Sequence, residues 1–274
     1  MIQKPYTKQF ITLSFVLVML LLLSISLGSV AIPIDEIIAI LLGNNSSKSS
    51  WSTIILHFRL PKAITAMLVG SGLSIAGLLM QTLFKNPLAG PFVLGISSGA
   101  SLGVAILILG AGIFGGVLTI VSFSSWGLAI ASSLGAAIVL LAVLITAHKV
   151  RNTMSILIIG LMFGTVTSAI ISVFTFFSDA EKIQQFIFWG FGSLGNLSWN
   201  EILVFFIIYL ISILTLLNVI KPLNTFLLGE NYAKSLGINI KKNRNIILII
   251  TSLLTGVTTA FAGPIAFIGL AVPH

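Results

Sequence analysis

RLPKAITAMLVGSGLSIAGLLMQTLFKNPLAGPFVLGISSGASLG, residues 59–103, decides the fold. Arg59 and Lys62 flank a proline, and residues 63–84 are then free of charge, with Gln81 the one amide among them. The run breaks at Lys85-Asn86-Pro87 and resumes at Gly90-Pro91 with a Gly/Ser/Ala-rich apolar stretch. A soluble core helix has no use for this pattern. Two membrane helices joined by a tight, polar, proline-marked elbow produce it, because about 20 apolar helical residues cross a hydrocarbon core of about 30 Å.

The rest of the chain agrees. Only 7% of its 274 residues are charged and 57% are hydrophobic, with mean hydropathy +1.15. Soluble domains carry about a quarter charged residues, so an all-α polytopic membrane protein is expected. The charge-free windows predict seven spans, at 10–31, 60–84, 92–109, 126–147, 153–177, 202–220 and 245–262. Glycines at 110, 112, 115 and 116 break the long uncharged stretch between the third and fourth. Residues 32–42 suit a short interfacial helix, and 184–199 an interfacial or re-entrant segment anchored by Trp189 and Trp199. The first apolar run is too long for the core of a cleaved signal and reads as a retained helix.

The formal charge of +8 does not point to nucleic acid, because the cations sit in loops between apolar runs rather than on one face. With the N-terminus inside, ten of the fourteen cations are cytoplasmic, and Lys48, Arg59, Lys62 and Lys182 are outside. Five of the six acids then lie outside, and Glu230 alone lies within. The 85–88 elbow is therefore expected on the cytoplasmic side and the Arg59/Lys62 pair on the outer side. Residues 89–95, AGPFVLG, have an echo in 262–269, AGPIAFIG, on the opposite side of the predicted membrane. Such inverted repeats are common in transporters.

Catalytic chemistry finds no footing. The three histidines are scattered without metal-ligand spacing, there is no cysteine, and no Walker-type glycine loop occurs. No catalytic residue, metal site or bound cofactor is expected. Ion-coupled carriers usually keep acids or bases at membrane depth, and the predicted spans hold none near mid-depth. Gln81 suits either a path-lining role or an interhelical hydrogen bond. Energy must then come from another chain, although an ion-coupled secondary carrier or channel is the competing class. Residues 221–244, KPLNTFLLGENYAKSLGINIKKNR, suggest two short helices, broken at Gly229 and ended at Gly237. Ala233 and Leu236 would then share a face suited to a partner protein, the alternative being an ordinary cytoplasmic loop.

Three ordered blocks carry a resemblance: RLPK with 78–103, LLGENYAKSLGINIKKNR at 227–244, and AFAGPIAFIGLAVPH at 260–274. In these the chain resembles the FecCD family, permease subunits of type II ABC importers for iron–siderophore complexes, haem or cobalamin. The resemblance implies a ten-helix permease fold with an inverted repeat in the bacterial cytoplasmic membrane. Against that fold the chain stops just after its seventh span, inside the third block. The last spans of the second repeat are therefore expected to be missing, either because the sequence is a fragment or because the gene product is truncated. Two ATPase subunits, which use ATP and Mg, are implied as partners, with a second permease copy or a paralogue. An extracytoplasmic binding protein and the surrounding membrane lipid complete the set. Iron–siderophore is the expected cargo, with haem or cobalamin next. By the same resemblance Arg59 and Lys62 meet acidic residues of the binding protein, and Asn86 and Leu88 belong to a cytoplasmic gate. Thr153 and Met154 belong to a second gate, while Leu228, Gly229, Glu230, Ala233, Leu236 and Gly237 seat the ATPase.

Overall fold

A computed structural model describes residues 6–43, 48–111, 124–150 and 153–274; for His148, Lys149, Thr153 and Glu230 it describes the backbone alone. Gly112, Gly115 and Gly116, expected to break the uncharged stretch, lie outside the described residues. Among the described residues there are helices and no strand. In order they are α1 (Thr7–Ser26), α2 (Ile34–Leu41), α3 (Ser49–Ile54), α4 (Leu60–Phe84), α5 (Ile96–Ile108), α6 (Ser125–Lys149) and α7 (Thr153–Phe176). Then follow α8 (Ala180–Gly190), α9 (Trp199–Leu217), α10 (Ile220–Leu228), α11 (Glu230–Ser235), α12 (Ile240–Ala262) and α13 (Ile268–Ala271).

Six helical stretches are long and apolar enough to cross a membrane: α1, the run Ser49–Phe84, most of α6 and α7, α9 and α12. The chain is a multi-pass membrane protein. The expected third span is shorter than the sequence suggests. A four-residue 3-10 turn, Pro91–Leu94, takes its start, Gly95 turns left-handed at φ 72°, and α5 has only 13 residues. Two other helices begin earlier than their charges suggest. Asn239 caps α12, its side chain accepting the Lys242 amide, so Lys241, Lys242 and Arg244 lie within the helix. Residues 51–59, expected outside any span, are helical and continuous with α4.

The chain forms two compact units. One comprises Met1–Met67 and Leu194–Ile202; the other comprises Leu68–Ser193 and Leu203–His274. In the first, α1 buries only Ile25. Pro33 precedes α2, whose first turn carries Asp35 and Glu36 against the positive end of the helix dipole. Its inner face, Ile37 and Ile40, packs with Ile25, Ile32, Ile55 and Ala63.

Between α3 and α4 the helix widens into a π turn, Ile55–Arg59. Pro61 is the cause. It lacks the N–H that the His57 carbonyl would use in an α-helix, so the ladder slips by one residue, and Leu60 N–H bonds Ile55 instead. The slip deprives the Leu56 carbonyl of a backbone donor: its α partner is spent on Ile55, and its π partner is Pro61. The indole N–H of Trp199 fills the vacancy at 3.0 Å. Ser198 caps α9 in the manner of a capping box, since the Glu201 carboxylate accepts both the Ser198 amide and its hydroxyl at 2.7 Å.

The second unit is built on α12, buried nearly throughout from Ile247 to Ala262. Ser252, Thr258 and Thr259 return their hydroxyls to carbonyls one turn back, so these polar groups ask nothing of their neighbours. The core joins Leu79, Met80, Leu83 and Phe84 of α4 to Ile247, Leu248 and Leu254 of α12. Helices α5 and α6 meet backbone to backbone: a Cβ at Gly103 would lie 2.0 Å from the Ala131 carbonyl, and one at Gly135 2.1 Å from the Gly99 carbonyl.

The two sequence echoes fold alike. Gly90-Pro91 leads through a short turn to left-handed Gly95 and then α5, and Gly263-Pro264 leads to Phe267, which shares the positive φ (67°) but not the ψ, and then α13. Both lie in the second unit. Gly269 lies against Leu73 and Pro91, and a Cβ at Gly77 would come within 1.6 Å of the Gly269 carbonyl.

Candidate docking and gating sites

In the first unit, Arg59 and Lys62 part company. Lys62 is exposed, with its Cδ 3.9 Å from where a Cβ at Gly195 would sit. Arg59 is half-buried and turned toward the end of α1. Its Nη1 donates to the carbonyls of Ile25 at 2.6 Å and Ser26 at 2.7 Å, and its Nη2 donates to the Val30 carbonyl. Ile25 and Ser26 end α1, where a helix leaves its carbonyls without intrahelical partners, and a cation there also meets the negative end of the dipole. Among the described residues the single ion pair is Lys182–Asp179, so neither Arg59 nor Lys62 is held by a carboxylate.

In the second unit, Gln81 takes the structural option. Its Nε2 donates to the Leu270 carbonyl at 3.0 Å, tying α4 to α13 beside the Gly77 crossing. The elbow follows at once. Lys85 is left-handed at φ 49°, where glycine is the usual helix terminator. The Asn86 amide returns to the Gln81 carbonyl, and its side chain Oδ1 accepts the Leu88 amide at 2.9 Å, closing an Asx turn. Leu88 itself is 70% exposed at the tip.

Asn86→Ala is therefore expected to speed exchange of the Leu88 amide about fivefold, the equivalent of about 1 kcal/mol. Asn86→Asp keeps the acceptor and should leave the rate near that of the wild type. Amide exchange in lipid nanodiscs reads both; equal rates in all three would remove the Asx turn from the account.

Thr153 opens α7, but its side chain lies outside the described residues; Met154 beside it is 44% exposed. The turn after the elbow reaches the same helix, since a Cβ at Gly160 would lie 2.3 Å from the Val93 carbonyl. Elbow and second gate candidate thus belong to neighbouring elements.

The 228–237 segment has the two short helices that its glycines predict. Gly229, at φ 118°, separates α10 from α11, and Gly237, at φ 77°, follows the end of α11. The expected partner face changes in one respect. Ala233 is wholly buried, because α11 turns it into the core that holds Leu83, Phe84 and Ala89. Leu223 and Phe226 of α10 enter the same core. Leu228 and Leu236 remain exposed, and Leu227 and Tyr232 join them, which only the tertiary packing reveals. Glu230 begins α11, and its side chain lies outside the described residues.

A cavity of about 460 Å³ lies among α6, α9 and α12, walled by Trp126, Leu134, Leu140, Val204, Leu253 and Phe261 among others. None of the residues singled out from the sequence lines it. No group of three or more His, Cys, Asp or Glu suited to a metal occurs among the described residues.

A family model described as the FecCD transport family matches residues 16–274. The vitamin B12 import system permease protein BtuC of Salmonella paratyphi A is 34% identical over 220 residues, which are 80% of this chain and 64% of that protein. The protein of the same name from Klebsiella pneumoniae is 32% identical over 267 residues, 96% of this chain and 74% of its own length. The chain thus spans a little under two thirds of the length of the Salmonella relative. A solved structure described as the inward-facing conformation of an ABC transporter, provisionally assigned to the metal-chelate type, superposes with a TM-score of 0.83. It is 27% identical, with 97% of this chain and 79% of that one covered.

Proposed function

Since the chain belongs to the FecCD transport family, we propose that it is the permease subunit of an ATP-driven importer in the bacterial cytoplasmic membrane, carrying a metal chelate of the cobalamin class. One observation carries the mechanism: the 223–233 helices and the elbow share a single apolar core. Leu223, Phe226 and Ala233 pack in the cluster that contains Leu83, Phe84 and Ala89. Close-packed cores transmit displacement rather than absorb it. A push from an ATPase on exposed Leu228, Tyr232 and Leu236 is therefore carried through that core toward the Asn86–Leu88 elbow.

In this reading two ATPase chains use ATP and Mg at the cytoplasmic surface, and a second permease copy completes the path. The N-terminus is cytoplasmic, and an extracytoplasmic binding protein delivers cargo on the opposite side. The ATPase supplies the energy, and this chain supplies gates. The cobalamin class takes precedence over the iron–siderophore expectation because the Salmonella and Klebsiella relatives, which match over most of this chain, are named for vitamin B12 import.

The test is uptake by proteoliposomes containing the full-length chain with its cognate ATPase and binding protein. Labelled cyanocobalamin should accumulate only with ATP, and a ferric hydroxamate siderophore should not. Siderophore uptake in its place would change the cargo and keep the class. Uptake that needs no ATPase and collapses with an ionophore would make the protein a secondary carrier.

A further inference from the structure

Helix α13 lies across the 85–90 elbow and touches the chain on both sides of the bend. We infer that α13 is a splint on the elbow, that Gln81 is the positioning residue that fastens it, and that the elbow swings only when α13 lifts off α4. The consequence for gating rests on the importer reading above; the splint itself does not.

One arm of the elbow is α4. A Cβ at Gly269 would stand 2.8 Å from the Leu73 carbonyl oxygen, and the Gly269 carbonyl itself fills the space that a Cβ at Gly77 would need. The other arm is the turn that begins at Gly90-Pro91. The same Cβ at Gly269 would stand 3.0 Å from Pro91 Cδ, and one at Gly90 would stand 3.9 Å from Leu270 Cβ. Gly269 and Leu270 thus bridge two arms whose own junction is a few residues of turn. A bend joined only at its vertex can hinge, whereas a bend bridged from arm to arm keeps its angle.

Gln81 belongs to both parts. Its backbone carbonyl accepts the Asn86 amide at 3.1 Å, the bond that closes α4 onto the elbow. Its side-chain Nε2 donates to the Leu270 carbonyl at 3.0 Å, in a partly buried position. A four-residue helix leaves its last carbonyls without intrahelical donors, so Gln81 meets a need that α13 cannot meet alone. One residue therefore holds the elbow with its main chain and the splint with its side chain.

The approach to α13 is strained. Phe267 sits at φ 67° and ψ −33°, and the Ile268 amide bonds the Ala266 carbonyl across it at 2.9 Å. This is the positive-φ γ-turn, the rare and strained form, and a bulky L residue at its centre adds to the cost. Packing of the ring does not explain the conformation, because Phe267 is 76% exposed. Backbone strain persists only where surrounding contacts over-determine it. The contacts that follow this turn directly are those of α13 with α4 and Pro91. Gln81 and the Gly77 crossing thus hold α13 down against a turn that relaxes when it lifts.

The chain has no cysteine, so Leu88→Cys and Val272→Cys admit one spin label each. Both positions are exposed, one at the elbow's tip and one at the end of α13. With the full chain in nanodiscs, double electron–electron resonance should show a single narrow distance. Gln81→Met keeps the length of the side chain without its donor. It should raise the share of a second, longer distance about tenfold, the scale of a partly buried carbonyl losing its hydrogen bond. Phe267→Gly places at the turn the residue that accepts a positive φ, and in the Gln81→Met background it should return the distribution most of the way to the parent's.

An unchanged distribution in Gln81→Met would overturn the splint, and one that Phe267→Gly leaves broad would overturn the strained turn's part in it. Should Gln81→Met fail to fold, Gln81→Asn, which keeps the amide but falls one methylene short, carries the same expectation and the same refutation. Gating is read separately, in proteoliposomes with the cognate ATPase and binding protein. There Gln81→Met should raise the ATP hydrolysed per labelled cyanocobalamin imported about fivefold, the lower end of coupling between distant sites. A wild-type ratio beside a second distance would leave the splint standing and detach it from the gate. Uptake by the parent without any ATPase would end the importer reading and leave the distances as they are.

Discussion

Alanine at Gly77 should lower the thermal midpoint of the detergent-solubilised protein by about 5–10 °C, while alanine at Gly70 should leave it unchanged or raise it slightly. Both positions lie on α4, seven residues apart. A Cβ at Gly77 would meet the Gly269 carbonyl oxygen at 1.6 Å and its carbon at 2.5 Å, whereas a Cβ at Gly70 has no heavy atom within 4 Å. The obstacle at 77 is backbone, so no rotamer change relieves it. Helix α13 would have to move off α4, and the Gln81–Leu270 hydrogen bond would go with it. Overpacking of this kind costs about 1–3 kcal/mol and sometimes more, whereas a glycine replaced in open helix returns up to about 1 kcal/mol. Intrinsic-fluorescence melts of the two variants decide the matter; similar midpoints would mean that the α4–α13 crossing is not held as described.

The second large effect is expected at Arg244. This side chain is 3% exposed and donates from Nη2 to the Ala147 carbonyl at 2.9 Å, near the C-terminal end of α6. Arg244→Met keeps apolar bulk but leaves that carbonyl with only the long bond from the Val150 amide at 3.4 Å, and removes a cation from the negative end of a 25-residue helix, at a combined cost of about 1–3 kcal/mol. Stability should fall, and amides in the last turn of α6 should exchange faster than those in its middle. Arg244→Lys should restore part of the loss. Burying a cation is itself costly, so a methionine variant more stable than the wild type is the outcome that would refute this role.

The parts of the fold that rest on local periodicity were legible in the sequence. The 60–84 span coincides with α4, and Gly229 and Gly237 punctuate 220–237 where their spacing predicts. Charge was a poorer guide. Lys241, Lys242 and Arg244 look like a loop, but α12 begins before them because Asn239 supplies its cap. Long-range partnerships were not legible at all. Arg59 finds its acceptors about thirty residues earlier, and backbone carbonyls leave no trace in a sequence. Ala233 shares the predicted face, yet which way a six-residue helix rolls is decided by the core beneath it. The roles of Asn86, Leu88 and Glu230 came from resemblance alone; what the fold adds at Asn86 is the Asx turn that closes the elbow.

The glycine seam between α5 and α6 bears on how such a molecule can move. Helices that slide past one another do so by small side-chain rearrangements, as in shear motions. At Gly103 and Gly135 there are no side chains to rearrange, because carbonyl and glycine already touch, and Gly160 makes the same kind of contact between α7 and Val93. The seam is a joint without a bearing. Helices α5, α6 and α7 are then expected to travel as one slab, and with no play inside it any flexing falls to its margins, the 85–90 elbow among them.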